Sequence, residues 1–565
     1  MSDKRIVELN VERFDEIFGK KRDCYKDLER FIHSSTTDSK ICALFGLRRT
    51  GKTVLMRQMA KELDEQNQNF KFYNCKAGAT MDELEDLLDV DLENGIKYVF
   101  IDEITALDDF QEFSASLADV YATQGMKIVI TGTDSLGIVL SRGEQLLDRV
   151  NMIHTSYISY GEFHRLLGKS LEDYILYGGT LTDSPYKNPQ DTKEYVNSAI
   201  VNNIVESLEK SEGIRKYPPS LTEFYNKEEI VSTLNKMINL MNQNVTLKAV
   251  LKDYKNAALG ATGRNMRKVM NYKKMIDVKE VTRATKEALS VKNISEMETS
   301  LSDGHLRRLK EYLQRLDLLL IIPVYDSLKQ LRENDERLEI LMQPGMVYTH
   351  STELMKELLK DESWIQEYGV ENKLEFMKRA ERHVKGIILE NAVIANTYLN
   401  YGEEKALFIS KLHKDVNGKE READMILVDE KKNESYLFEV KYSESPESGH
   451  LKHLVSEEFM DYVAQEFGEV VGKYLVYNGP TGYTENVFHI NAEEFFYTIY
   501  QNKENWKEAI RALEELAVKR ELTLIVDKKK ETLENKISEC KGMVQKSQKK
   551  SVIPTNEVTR RDGRA

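Results

Sequence analysis

Along residues 1–160, short apolar runs alternate with amphipathic stretches. The runs are ICALFG (41–46), FKFYNC (70–75), YVFIDEI (98–104), KIVITG (127–132) and a weaker one near Val150–Ile158. Short, unbroken apolar runs fit strands buried on both faces, and their alternation with helices predicts a parallel sheet covered on each side. Residues 160–300 are polar, helical in period and poor in Gly and Pro. After them LSDGHLRRLKEYLQRL (301–316) predicts a helix, and LLLIIPVYDS and LEILMQPGMVYTHS predict two strands. Strands and helices mix again over 370–525, and the tail from Lys528, with KKK and QKSQKKS, holds too few apolar residues to order itself. The expected domains are therefore 1–160, 161–350, 351–525 and a basic tail over 526–565.

A chain of 565 residues exceeds what one hydrophobic core normally serves. No apolar run approaches the roughly 20 residues that cross a bilayer, and the N-terminus MSDKRIVELN carries charges where a signal peptide needs an apolar stretch. Cys24, Cys42, Cys75 and Cys540 lack CxxC or His spacing and read as unpaired thiols, so a cytoplasmic protein without membrane contact is expected. The net charge of −13 excludes a generally basic surface. One local exception stands between Lys248 and Lys286, where eleven basic residues face three acids. With the helix 301–316 and its strand pair, which resemble a winged-helix unit, this stretch fits binding of duplex DNA through phosphates, or alternatively a solvated helix face.

The chemistry begins at Gly46-Leu47-Arg48-Arg49-Thr50-Gly51-Lys52-Thr53, which fits G-x-x-x-x-G-K-[ST] between an apolar strand and a helix. Glycines let the main chain turn so that its N–H groups face phosphate oxygens. Lys52 would neutralise the β- and γ-phosphates of ATP, and Thr53 would ligate Mg2+. Tyr98–Ile101 then leads into Asp102 and Glu103, a buried strand ending in two acids: Asp102 for the metal, Glu103 for the attacking water. Thr131, ending the next strand before Gly132-Thr133-Asp134-Ser135, is expected between the two motifs, where it can sense the γ-phosphate. Arg142 and Arg149 are candidates for the cation that steadies transferred phosphoryl charge.

In the C-terminal part, 406–412, 420–428 and 436–441 read as strands, followed by a helix and the strand KYLVYN. Period-2 alternation puts Glu422, Asp424 and Ile426 on one face, and likewise Glu439 and Lys441. Asp424 and Glu439 would offer hard oxygen ligands to Mg2+, joined by the Val440 carbonyl, with Lys441 placed to activate water.

Taken together, GLRRTGKT, YVFIDEI, VITGTDS, Leu147-Asp148-Arg149 and ISYGEF (158–163) resemble a prokaryotic AAA-type ATPase family with a G-x-R-R-x-G-K-T loop. In that family a Gly usually stands where this chain has Asp148. Members often end in a domain related to restriction endonucleases, the PD-(D/E)XK fold, which Glu422-Ala423-Asp424 and Phe438-Glu439-Val440-Lys441 resemble; the resemblance makes Glu390, on the helix GIILENA, a match to the helical acid of such nucleases and a further metal-ligand candidate. The resemblance implies an α/β protein: an AAA-like P-loop parallel sheet, a helical and winged-helix-like middle, and a nuclease-like end. The function expected is an ATPase acting on or regulated by nucleic acid. The alternative is a signalling or scaffold ATPase, homo-oligomeric or gating a protein partner, whose last domain is inert.

Overall fold

The protein is described here from a computed structural model that covers residues 5–10, 19–34, 40–132, 146–181, 241–251, 307, 310–311, 313–325, 337–368, 373–404, 407–416, 419–445 and 451–523. Thr133, Asp134, Ser135, Arg142, Cys540, nearly all of the basic stretch and the tail lie outside these residues.

Each apolar run of the N-terminal part becomes a strand. β1 (Ile6–Glu8), β2 (Ile41–Phe45), β3 (Phe70–Cys75), β4 (Tyr98–Asp102), β5 (Lys127–Thr131) and β6 (Val150–His154) form one sheet in the order β1-β3-β4-β5-β2-β6. All neighbours run parallel except β1, an antiparallel edge strand that pairs Ile6 with Cys75. The runs are unbroken because both faces are buried. Ile41, Ala43, Val99, Ile101, Ile128 and Ile130 meet α3 (Met81–Glu93) on one side, through Leu84 and Leu88. Their alternates Cys42, Leu44, Tyr98, Phe100 and Val129 meet α1 (Tyr25–His33) and α2 (Lys52–Glu65) on the other. Sequence also starts the helices sharply: Thr80 and Glu83 close a capping box at α3. Cys24, Cys42 and Cys75 are free thiols, as their spacing suggests.

Among the described residues the second sheet has eight strands: β7 (Leu319–Tyr325), β8 (Arg337–Leu341), β9 (Leu407–Val416), β10 (Lys419–Asp429), β11 (Glu434–Lys441), β12 (Glu469–Tyr477), β13 (Gly482–Thr484) and β14 (Val487–Asn491). Their order is β13-β14-β12-β11-β10-β9-β7-β8. The β7–β8 hairpin is thus an extension of the C-terminal sheet, joined where Val324 and Tyr325 run parallel to Lys411 and Leu412. The strand expected over 338–351 ends at Leu341, and Pro344 at a helix start turns the rest into α6 (Pro344–Leu358). On one face α7 (Lys373–Tyr401), with α6 against it, packs Ile388, Leu389 and Ala392 against Met425, Phe438 and Tyr474. α8 (Glu457–Phe467) covers the opposite face.

Strict alternation does not hold along β10. The β9–β10 register shifts between Ala423 and Ile426, so Lys411 alone lies opposite both Asp424 and Met425. One extra residue at such a bulge re-aims its neighbours, and the expected single face of Glu422, Asp424 and Ile426 is broken there.

The two parts share one core. Tyr160 and Phe163 of α4 (Tyr160–Leu167) and Tyr174 of α5 (Leu171–Tyr177) join the cluster that continues through α7 and α9 (Ala492–Gln501). No described helix is long and apolar enough to cross a membrane.

Candidate nucleotide and C-terminal sites

The loop between β2 and α2 turns at Gly46 (φ 152°) and at Gly51 (φ 91°), a backbone region that side chains rarely allow. A Cβ on Gly46 would also meet the Thr155 hydroxyl and come within 2.8 Å of the Ser156 main-chain nitrogen. Lys52 opens α2 and bends back, its Nζ donating to the carbonyls of Gly46 at 2.7 Å and Leu47 at 2.9 Å. Burial lowers its pKa to about 8, against the pull of Glu103 and Asp102. Arg48 and Arg49 are exposed on the loop, while Thr50 is buried and donates to the Leu47 carbonyl.

β4 brings its acids to the same place. Thr53 Oγ1 donates to Asp102 Oδ1 at 3.2 Å, and the Glu103 N–H donates to the same oxygen at 3.1 Å. Glu103 holds a left-handed backbone (φ 57°), a strained turn often found where side chains are re-aimed at a site. Burial, then the Glu103 charge, raises Asp102 to about 6. A hydroxyl and a buried carboxylate side by side fit the two protein ligands of a magnesium ion. β5 separates β2 from β4, which puts Thr131 between the motifs as expected; its hydroxyl donates to the Leu44 carbonyl at 3.2 Å.

Arg149 is not brought to this loop. It precedes β6, which runs parallel to β2, so it sits at the sheet end away from Gly46. There its Nε donates to Asp119 at 2.6 Å. The preceding Asp148 adopts φ 58°, the conformation that a glycine takes most readily.

Sequence reasoning passed over Arg22. Its guanidinium is 6% exposed and donates to the carbonyls of Thr50 (2.6 Å), Thr155 (2.7 Å) and Tyr157 (3.0 Å) and to both carboxylate oxygens of Glu162. The ISYGEF segment therefore braces the phosphate loop from behind. A lone Arg in a polar stretch carries no periodic signal that could have revealed this. Next to it, Asp23 accepts from Arg165 (2.8 Å) and from Tyr500 (2.7 Å) and Lys503 of the C-terminal part. Burial works to raise this carboxyl, but Lys503, Tyr500 and Arg165 hold it below its ordinary value. A second bridge runs from Glu172 to Lys385 (2.6 Å) and to Tyr442.

At the C-terminal sheet, Asp424 is 2% and Glu439 3% exposed. Asp424 Oδ2 accepts the Val440 N–H at 2.7 Å and the Lys441 ammonium at 3.1 Å, and Lys441 also pairs with Glu439. Lys411, another residue that sequence reasoning missed, pairs with Glu390 of α7 and lies 3.8 Å from Asp424 Oδ1. Burial would raise Asp424, but Lys441 and Lys411 outweigh it and hold the carboxyl low. Glu439 moves the other way, pushed well above the carboxylate range by burial and by Asp424. Among the described residues no three His, Cys, Asp or Glu side chains gather round one point as a metal cluster. Instead two ammonium groups link three carboxylates. The buried Glu439 Oε2 has no hydrogen-bond partner. A buried carboxylate oxygen in that state has the chemistry of a cation ligand.

No curated protein matches this chain. A solved structure of the Aeropyrum pernix Orc1 protein in complex with DNA is similar at 13% identity, over 63% of this chain and 97% of that one; its TM-score of 0.23 is too low to carry an argument. Residues 38–164, under a quarter of the chain, match the model of a family described as AAA domain. With the loop, Lys52, Thr53 and Asp102 all inside the match, this part of the chain is an AAA-type P-loop domain.

Proposed function

We propose that the protein is a magnesium-dependent ATPase that acts on, or is regulated by, nucleic acid, and that its C-terminal sheet carries a metal-dependent phosphodiester-cleaving site of the PD-(D/E)XK type. The observation that carries the ATPase reading is the convergence of Lys52, Thr53, Asp102 and Glu103 at one end of the parallel sheet. Main-chain N–H groups of 46–53 and Lys52 would bind the phosphates, Thr53 and Asp102 would hold the magnesium ion, and Glu103 would take the proton of the attacking water. The chemistry the ion would supply when bound is neutralisation of phosphate charge.

For the C-terminal site, support comes from the helix–strand–strand–strand–helix–strand order of α7 to β12 and from the unpartnered Glu439 oxygen. Asp424 and Glu439 would hold the cation with Glu390 of α7 beside them, and Lys441 would position water for attack on the scissile phosphate. The second reading, a scaffold ATPase gating a partner, is favoured by the ion pairs that tie Asp23 to Lys503, just after α9, and Glu172 of α5 to Lys385 of α7. The deciding assay offers Mg-ATP with labelled duplex DNA, single-stranded DNA and RNA, and scores turnover and cleavage together. Turnover stimulated by nucleic acid, with metal-dependent cutting, supports the first reading. Turnover indifferent to nucleic acid, without cutting, moves the protein to the second.

A further inference from the structure

Lys411 is the one lysine of the C-terminal cluster outside the E-x-K pattern of Glu439 and Lys441. The β10 bulge sets it opposite Asp424, and its ammonium stands between Glu390 on α7 and Asp424 on β10. A divalent cation that used those two carboxylates would need the place the ammonium holds. Both are hard cations for the same oxygens, and they cannot share the space. Lys441 does not conflict in the same way. It pairs with Asp424 through Oδ2 and with Glu439, whose second oxygen is unpartnered.

We propose that Lys411 is a positioning residue that competes with the divalent cation: its ammonium holds Glu390 and Asp424 together until metal displaces it. This rests on the metal-site reading above. A lysine suits the task because its charge rides on a flexible four-carbon stem. Its side chain keeps 19% exposure, which gives the ammonium a way out to solvent.

The test is a Mn2+ titration of the nucleotide-free full chain, read by the EPR signal of free Mn2+, in an Asp102→Asn background that silences the P-loop. Lys411→Met removes the competing charge and should bind Mn2+ at least about tenfold more tightly. Lys411→Arg restores the charge and should return the affinity towards that of the parent. In the unmutated chain Mn2+ should raise acetylation of Lys411 but not of the exposed Lys61, read by mass spectrometry. This second measurement decides the matter should Lys411→Met fail to fold. Equal affinity in the parent and Lys411→Met, or Lys411 labelling indifferent to bound Mn2+, overturns the competition and leaves the site standing. No Mn2+ binding in any of these proteins removes the metal site, and the inference falls with it.

Discussion

Arg22 and Glu162 face each other through two hydrogen bonds, Nε to Oε1 at 2.8 Å and Nη2 to Oε2 at 2.9 Å, with both side chains almost fully buried. The same guanidinium holds the Thr50 carbonyl inside the phosphate loop at 2.6 Å. Breaking a buried pair leaves one charge without a partner, at a cost of about 3–5 kcal/mol. Glu162→Gln should therefore lower Tm and weaken nucleotide affinity, although residue 162 touches no phosphate. Arg22→Met with Glu162→Leu should recover stability better than affinity, because the Thr50 brace stays lost. Calorimetry and nucleotide titration on the same samples separate the two effects. Unchanged affinity in Glu162→Gln would reduce the pair to a purely structural contact.

Lys52 and Glu103 should fail differently. Lys52→Ala removes the side-chain charge facing the β- and γ-phosphates and should abolish measurable nucleotide binding. Glu103→Gln should bind normally and lose turnover, about 10²–10⁴-fold if it removes general-base catalysis. Equilibrium binding beside steady-state hydrolysis shows which step each residue serves. Full hydrolysis by Glu103→Gln would strike it from the catalytic residues.

Nucleotide binding should be confined on both sides of neutral pH. Asp102 has its folded-state pKa raised to about 6. It therefore contributes stability below its unfolded value, and that contribution is lost as pH rises through about 6. Lys52 is lowered to about 8, so it contributes above its unfolded value and loses this as pH falls through about 8. Between the two pKa values both groups are charged and both oppose folding, a strain that magnesium and phosphate relieve. Mg-ATP affinity should fall below about pH 6 as Asp102 takes a proton, and above about pH 8 as Lys52 loses one. Asp102→Asn should weaken binding and flatten the acid limb alone. An acid limb that survives this substitution assigns the titration to another group.

Gly161 lies under the Tyr500 ring, and a Cβ there would run into that ring. Gly161→Ala should force α9 away from α4 and cost about 1–3 kcal/mol, the usual range for overpacking. Adding Tyr500→Ala should relieve the clash but not restore the Asp23–Tyr500 hydrogen bond. Thermal unfolding of the single and double variants measures this. Limited proteolysis then reports whether the AAA-type domain and the C-terminal sheet part company. Additive destabilisation in the double variant would show that the two residues do not meet.

In the C-terminal site, Asp424→Ala should abolish metal-induced stabilisation and any cleavage, while ATP hydrolysis persists on its own ligands. Lys441→Ala should keep metal binding and lose cleavage. Differential scanning fluorimetry with Mn2+, run beside a nuclease assay, distinguishes these outcomes. A Lys441→Ala protein that still cuts would leave the lysine as a counter-ion only.

What the chain determined by itself was local. The buried strands were legible because a strand covered on both faces needs an unbroken apolar run, and Ile41–Phe45 and Tyr98–Ile101 supply one. The phosphate loop was legible because its geometry demands glycines and a lysine at close spacing. So were Glu439 and Lys441, which period-2 alternation sets on one face of β11; that Asp424 meets them across strands was implied by the family resemblance. The tertiary structure decided what depends on distant partners. Arg22 meets Glu162 across 140 residues and Asp23 meets Lys503 across 480, and no local pattern encodes such a meeting. Arg149 looked like a nucleotide ligand until strand direction set it at the far end of β6. Lys411 faces Asp424 through a register shift of one residue, which alternation along a single strand cannot foresee because a bulge is a property of two strands together.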